Sequence, residues 1–243
     1  MIQSISGVLA YSLVPVVAAA GGSAWAAIKP PGAKLRSAIQ HFAAGVVFSV
    51  VSVELLPDVV REHRPLWVAI GFAGGIVTML ALRWITENKL EAAGARQFNR
   101  IPTTMLLATG IDIVLDGLLV GIGFGAGEKE GKLLVAALAL ELFSLTTATT
   151  ATLINAGTSQ ARSALAGVLF AFGIPVGAIA GITLLHNTSE AAMEGFLSFG
   201  LAALLFLVTE ELLVEAHEVP ETPAITASFF AGFLIFMILG MVA

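Results

Sequence analysis

VELLPDVV at residues 53–60 returns, altered but readable, as EELLVEAH at residues 210–217. Both copies set acidic side chains inside a long apolar run. An offset of 157 residues lays Glu54 on Glu211, Leu55 and Leu56 on Leu212 and Leu213, Asp58 on Glu215 and, upstream, Phe42 on Phe199. Two further pairs follow in the same order: PVVAAAG (15–21) matches PVGAIAG (175–181) at an offset of 160, and FAGGIVTM (72–79) matches FAGFLIFM (230–237) at 158. Three matches in one order at nearly one offset describe a duplicated unit.

Composition fixes the class in which that duplication is read. Of 243 residues 57% are apolar and 12% charged, and the mean hydropathy is strongly positive, more apolar surface than a soluble domain can hide. Stretches long enough to cross a hydrocarbon core of about 30 Å recur near 5–27, 38–60, 66–86, 103–125, 133–156, 163–185, 195–216 and 223–243. The runs are continuous rather than alternating, so they predict helices and not a barrel: an all-α polytopic membrane protein with eight transmembrane helices. The first run lacks a basic lead and is too long for a cleavable signal. The absence of Cys excludes disulfides and thiolate ligands, and a net charge of −5 does not suggest nucleic acid as a partner.

The members of each matched pair stand five places apart in the helix order, an odd offset, so the copies cross the membrane in opposite directions. The prediction is a single transmembrane domain, 1–243, in which an inverted repeat of helices 1–3 (about 5–86) and 6–8 (about 163–243) brackets helices 4–5 (about 103–156), a plan of transporters that alternate access around a midplane site. Orientation follows from basic residues. Lys29, Lys34, Arg36, Arg83, Lys89, Arg96, Arg100 and Arg162 fall on one side against Arg61, Arg64, Lys129 and Lys132 on the other, which puts both termini outside a plasma or inner membrane.

The central helices are where chemistry is expected. Helix 4 reads TGIDIVLDGLLVGIGFG (109–125), and the four-residue spacing stacks Asp112 and Asp116 on one face. A charge at the bilayer centre costs roughly 3 kcal/mol even on the lenient insertion scale, so two persist only beside a cavity or a cation. Helix 5, LALELFSLTTATTATL (138–153), adds Glu141 and then Ser144 and a run of Thr hydroxyls. Three converging acids make a cation site. Glu54 and Glu211 lie deep enough in helices 2 and 7 to line the pathway, with Glu210 as a further candidate. Asp58, Glu215 and Glu218 lie near helix ends, where lining the pathway and meeting water at the headgroups are both open. His41, His63, His186 and His217 fall at helix ends or loops and read as solvated; of these, only His217, amid Glu215, Glu218 and Glu221, is an auxiliary ligand candidate. The glycines at 117, 121, 123 and 125 read as helix-packing positions.

These residues resemble the ZIP (Zrt/Irt-like) divalent metal transporters, as a divergent member. The likeness is best in EELLVEAHEVPETPAITASFFAGFLIFM (210–237), similar to that family's helices 7 and 8. It continues in ELLP (54–57), with Glu54 where many members have His; in DIVLDG (112–117), where the fourth helix carries HNxPEG or HNxxDG; and in GIPVGA (173–178), with Ile174 in place of the Glu of EPxGA. The resemblance implies the eight-helix, three-two-three arrangement and a main site at Asp112, Asp116 and Glu141. Ile113 replaces the family's Asn, helix 5 is reduced to LELFS (140–144), and the loop between helices 3 and 4 has no His. Those departures argue against a two-metal centre. Oxygen ligands without an intramembrane imidazole suit Mn²⁺, Mg²⁺ or Fe²⁺ better than Zn²⁺, which carboxylates also bind.

The sequence therefore predicts a transporter of divalent cations, the ion being cargo and not a cofactor, with the bilayer as its partner and a homodimer as the candidate assembly. A proton-coupled carrier of another solute could use Glu54, Asp112, Asp116 and Glu211 as a relay. An intramembrane enzyme fits less well: an aspartyl protease needs its two Asp on facing helices, and here both share one.

Overall fold

The computed structural model describes residues 5–61, 63–85, 103–185, 188–220 and 222–242. They hold eight helices long and apolar enough to cross a membrane: α1 (Ile5–Ile28), α2 (Ala33–Arg61), α3 (Pro65–Trp84), α4 (Thr103–Ala126), α5 (Glu128–Asn155), α6 (Gln160–Leu185), α7 (Glu190–Ala216) and α8 (Pro223–Val242). No strand occurs among the described residues. Several helices begin earlier than hydropathy predicts, because the polar first turns of α2, α5 and α7 are helical without being apolar. The punctuation is local. Pro30, Pro31 and Gly32 end the link before α2, and Pro65 and Pro223 stand at the first positions of α3 and α8, where a missing N–H costs nothing. Helix α5 stops in a Schellman motif: Gly157, at φ 91°, donates to Ile154 O (2.9 Å) while Thr158 donates to Leu153 O (3.0 Å). Helix α6 is interrupted at Phe172, where Pro175 has no N–H for the Ala171 carbonyl.

Helices α2 and α7 each contain a π-helical segment, Val50–Leu55 and Leu207–Leu212. In each the next amide reaches back five residues, Leu56 N–H to Val51 O and Leu213 N–H to Val208 O. Pro57 gives α2 a reason, since it cannot donate to Val53. Position 214 of α7 is Val, and no side chain there explains the second segment.

Packing divides the helices into two groups. Helices α4 and α6 pair closely, as do α1 and α5, and these four form one group; α2 with α8 and α3 with α7 form the other. The groups meet chiefly where α5 lies on α2 and α4 on α7. Helix α5 is the most buried span, while α3 and α8 leave most of their surface outward. The α4–α6 pair depends on glycine: a Cβ at Gly117 would strike the Ile174 carbonyl and one at Gly177 the Val114 carbonyl, so the two backbones touch. That contact holds the Asp-bearing face of α4 in place.

Candidate metal centre

Asp112 and Asp116 stand one helical turn apart on α4 and face Glu141 near the middle of α5. Asp116 and Glu141 are buried and Asp112 half-buried. One ligand oxygen from each can be chosen so that all three lie within 4.8 Å of one another. Points so spaced share a centre no more than about 2.8 Å from each, near the roughly 2.0–2.6 Å at which divalent cations hold oxygen ligands. Among the described residues, both Asp116 carboxyl oxygens, Glu141 Oε2 and the Ser144 hydroxyl have no hydrogen-bond partner. Buried acceptors without donors are rare in folded proteins, and three of these four are carboxylate oxygens.

Asp116 lies one helical turn from Asp112, and Asp112 and Glu141 line a cavity of about 380 Å³. Its polar wall comes from Gln40 on α2, Arg83 on α3, Thr109 and Asp112 on α4, Glu141, Ser144 and Thr149 on α5, and Glu210, Glu211 and Glu215 on α7. The early part of α2 and the ends of α3 and α7 bound its mouth, so it opens toward the face that holds the links 29–32, 156–159 and 217–222. Asp112 and Glu211 both line this cavity. Glu215 accepts from Gln40 Nε2 at 2.6 Å, and Glu210 pairs with Arg83 Nη1 at 2.7 Å. Five acids against one Arg leave the wall strongly cation-attracting. Beside Asp116, Met79, Leu118, Leu119, Phe199 and Leu207 line a second, much smaller void.

Not every residue marked in the sequence comes to this place. Asp112, Asp116, Glu141, Ser144, Glu210, Glu211 and Glu215 do. Glu54 does not: its carboxylate pairs with Lys129 Nζ at 3.3 Å at the opposite end of the bundle. Asp58, in the last turns of the same helix, does not line the cavity either. His217 sits beyond the mouth, its Nδ1 against Leu213 O and its ring 5.0 Å from that of His41. His41 overturns the expectation of a solvated imidazole. It is 3% exposed inside α2, held by the Ser37 carbonyl at 2.9 Å, so the membrane-spanning region does contain an imidazole, although His41 is not part of the cavity wall. His63 is exposed, and His186 and Glu221 lie outside the described residues.

Gln40, Thr109 and Arg83 were not singled out as lining residues by sequence. Neutral polar side chains in an apolar helix carried the only available signal for the first two. Buried Glu194, 3.2 Å from Arg64 Nε at the far face, lies just before the expected start of helix 7.

No protein-family model matches the chain. A stretch of 152 residues is 28% identical to the zinc transporter GufA of Myxococcus xanthus. The match spans 62% of this chain and 59% of GufA.

Proposed function

We propose that the chain is a ZIP-like membrane transporter that carries divalent metal cations by alternating access, with Asp112, Asp116 and Glu141 as its midplane ligands and Glu211 beside them. The observation that carries this reading is the triad itself: three carboxylates at cation-binding spacing, two of them buried, beside an acidic cavity. The similarity to GufA supports metal transport at the general level. Zinc is the metal in that relative's name. An all-oxygen donor set favours Mn²⁺ or Fe²⁺ at least equally, so a carrier of several divalent ions is the consistent reading.

Alternation between faces needs two matching halves, and several features support the inverted repeat. Exchanging α1 with α6, α2 with α7, α3 with α8 and α4 with α5 turns the α1–α5 pair into α6–α4 and the α2–α8 pair into α7–α3, which are the other two close pairs. The π-helical segments begin 157 residues apart, at Val50 and Leu207. Gly232 packs on the Phe42 carbonyl and Gly75 on the Phe199 carbonyl, again displaced by 157 on both partners. Basic residues assign the cavity face to the cytoplasm, which makes this the inward-open state.

The test is uptake of radioactive Mn²⁺ and Zn²⁺ into liposomes holding the purified protein, with the other metals as competitors. Asp112→Ala and Asp116→Ala should abolish uptake while the protein still elutes as a folded species. Uptake by either variant at the parental rate would overturn the site.

A further inference from the structure

Glu54 is the residue that the repeat expects at the pathway and that the structure places elsewhere. Its counterpart Glu211 lies in the matching π-helical segment and faces the open cavity. Glu54 is 10% exposed in its side chain, at the end of the bundle away from the cavity mouth, and its Oε2 is 3.3 Å from Lys129 Nζ. Its Oε1 occupies the space that a side chain at position 240 would fill, and that residue is Gly. The residue 157 positions before Gly240 is Arg83, which on the open face pairs with Glu210 and leaves Glu211 to the cavity. The two faces thus differ in where the counter-charge comes from. Arg83 and Glu210 belong to the same helix group, α3 with α7. Lys129 and Glu54 belong to different groups, α5 and α2, so this ion pair ties the groups together.

We propose that Glu54 and Lys129 are the gate on the face opposite the open cavity, and that the Lys129 ammonium holds here the position a transported cation takes on Glu54 when the pathway opens to that face. The inference rests on the alternating-access reading above. Lys129 stands in the first turn of α5, twelve residues and about 18 Å along the helix from Glu141. A displacement of one group past the other separates it from Glu54. A largely buried carboxylate stripped of its partner is costly, so Glu54 then needs another cation. The ion arriving from that face, or leaving toward it, supplies one. A tethered ammonium and a mobile cation competing for one carboxylate make opening and ion occupancy the same event.

The chain has no Cys, so one introduced thiol reports alone. Ala148→Cys, on the cavity wall, is labelled in reconstituted vesicles with a membrane-impermeant maleimide added to either face. With Lys129 intact, labelling should come from the cavity face. Lys129→Met should lower labelling from that face by about threefold as the population shifts to the other state, and Lys129→Arg should preserve the parental pattern. The exchanged pair, Glu54→Lys with Lys129→Glu, should restore the labelling pattern without restoring cation uptake, because closure needs only opposite charges whereas transport needs a carboxylate on α2. An unchanged labelling ratio in Lys129→Met overturns the gate, and parental uptake by the exchanged pair overturns the cation position on Glu54. The labelling ratio reads the gate even in a protein that moves no metal, so it fails separately from the transport assignment.

Discussion

Asp116→Asn separates a cation site from a structural network of buried acids, because the two readings predict opposite signs for the cation-free protein. Each pair of ionised carboxylates within 4.8 Å repels by about 3 kcal/mol or more at an effective dielectric constant near 20. Neutralising Asp116 removes two such terms, about 7 kcal/mol of gross repulsion, so the variant without metal should melt at a higher temperature than the parent. With a divalent ion about 2.8 Å from each ligand, the same substitution removes about 12 kcal/mol of gross attraction. The relief of repulsion is the same with and without the ion and so cancels from binding, leaving the lost attraction to lower affinity by about three orders of magnitude at least. Thermal denaturation in detergent, with chelator and then with a Mn²⁺ or Zn²⁺ series, measures both. The parent should gain stability with metal as ligand linkage requires, and Asp116→Asn should start higher and gain little. A variant that melts lower in chelator and keeps the full metal-dependent gain would refute the reasoning, for then Asp116 would be a structural acid with partners of its own.

Asp112→His should move preference toward Zn²⁺ over Mn²⁺ by about tenfold in competition uptake, since imidazole is the softer donor. Arg83→Met removes the fixed cation from the cavity wall and should raise apparent cation affinity several-fold at low ionic strength, an effect that shrinks as salt is added. Gly177→Ala sets a Cβ against the Val114 carbonyl and should lower stability by about 1–3 kcal/mol, seen as a lower melting temperature, together with uptake, whereas Gly74→Ala, which meets nothing within 4 Å, should melt like the parent.

Much of this molecule was legible in the one-dimensional pattern. Continuous apolar runs of membrane length give helices because a spanning backbone must satisfy its own hydrogen bonds, and the eight expected spans all correspond to helices. The four-residue spacing of Asp112 and Asp116 fixes their shared face through helix geometry alone, and Glu141 was recognisable as a charge with no apolar reason to be there. Glu54 and His41 show where that kind of reading ends. Depth along a helix follows from sequence position, but the direction of a side chain depends on rotation about the axis. A π-helical segment inserts one residue into the turn and swings the rest of the helix by about 100°. Glu54 and Glu211 both lie within such segments, so α-helical periodicity could not give the direction of either side chain. His41 is buried because the start of α2 packs on the end of α7, a contact between residues far apart in the chain. The sequence determined which residues carry charge into the membrane and at what depth; tertiary packing decided which of those charges meet, because only the assembled helices set the rotation and distance on which a cation's coordination depends.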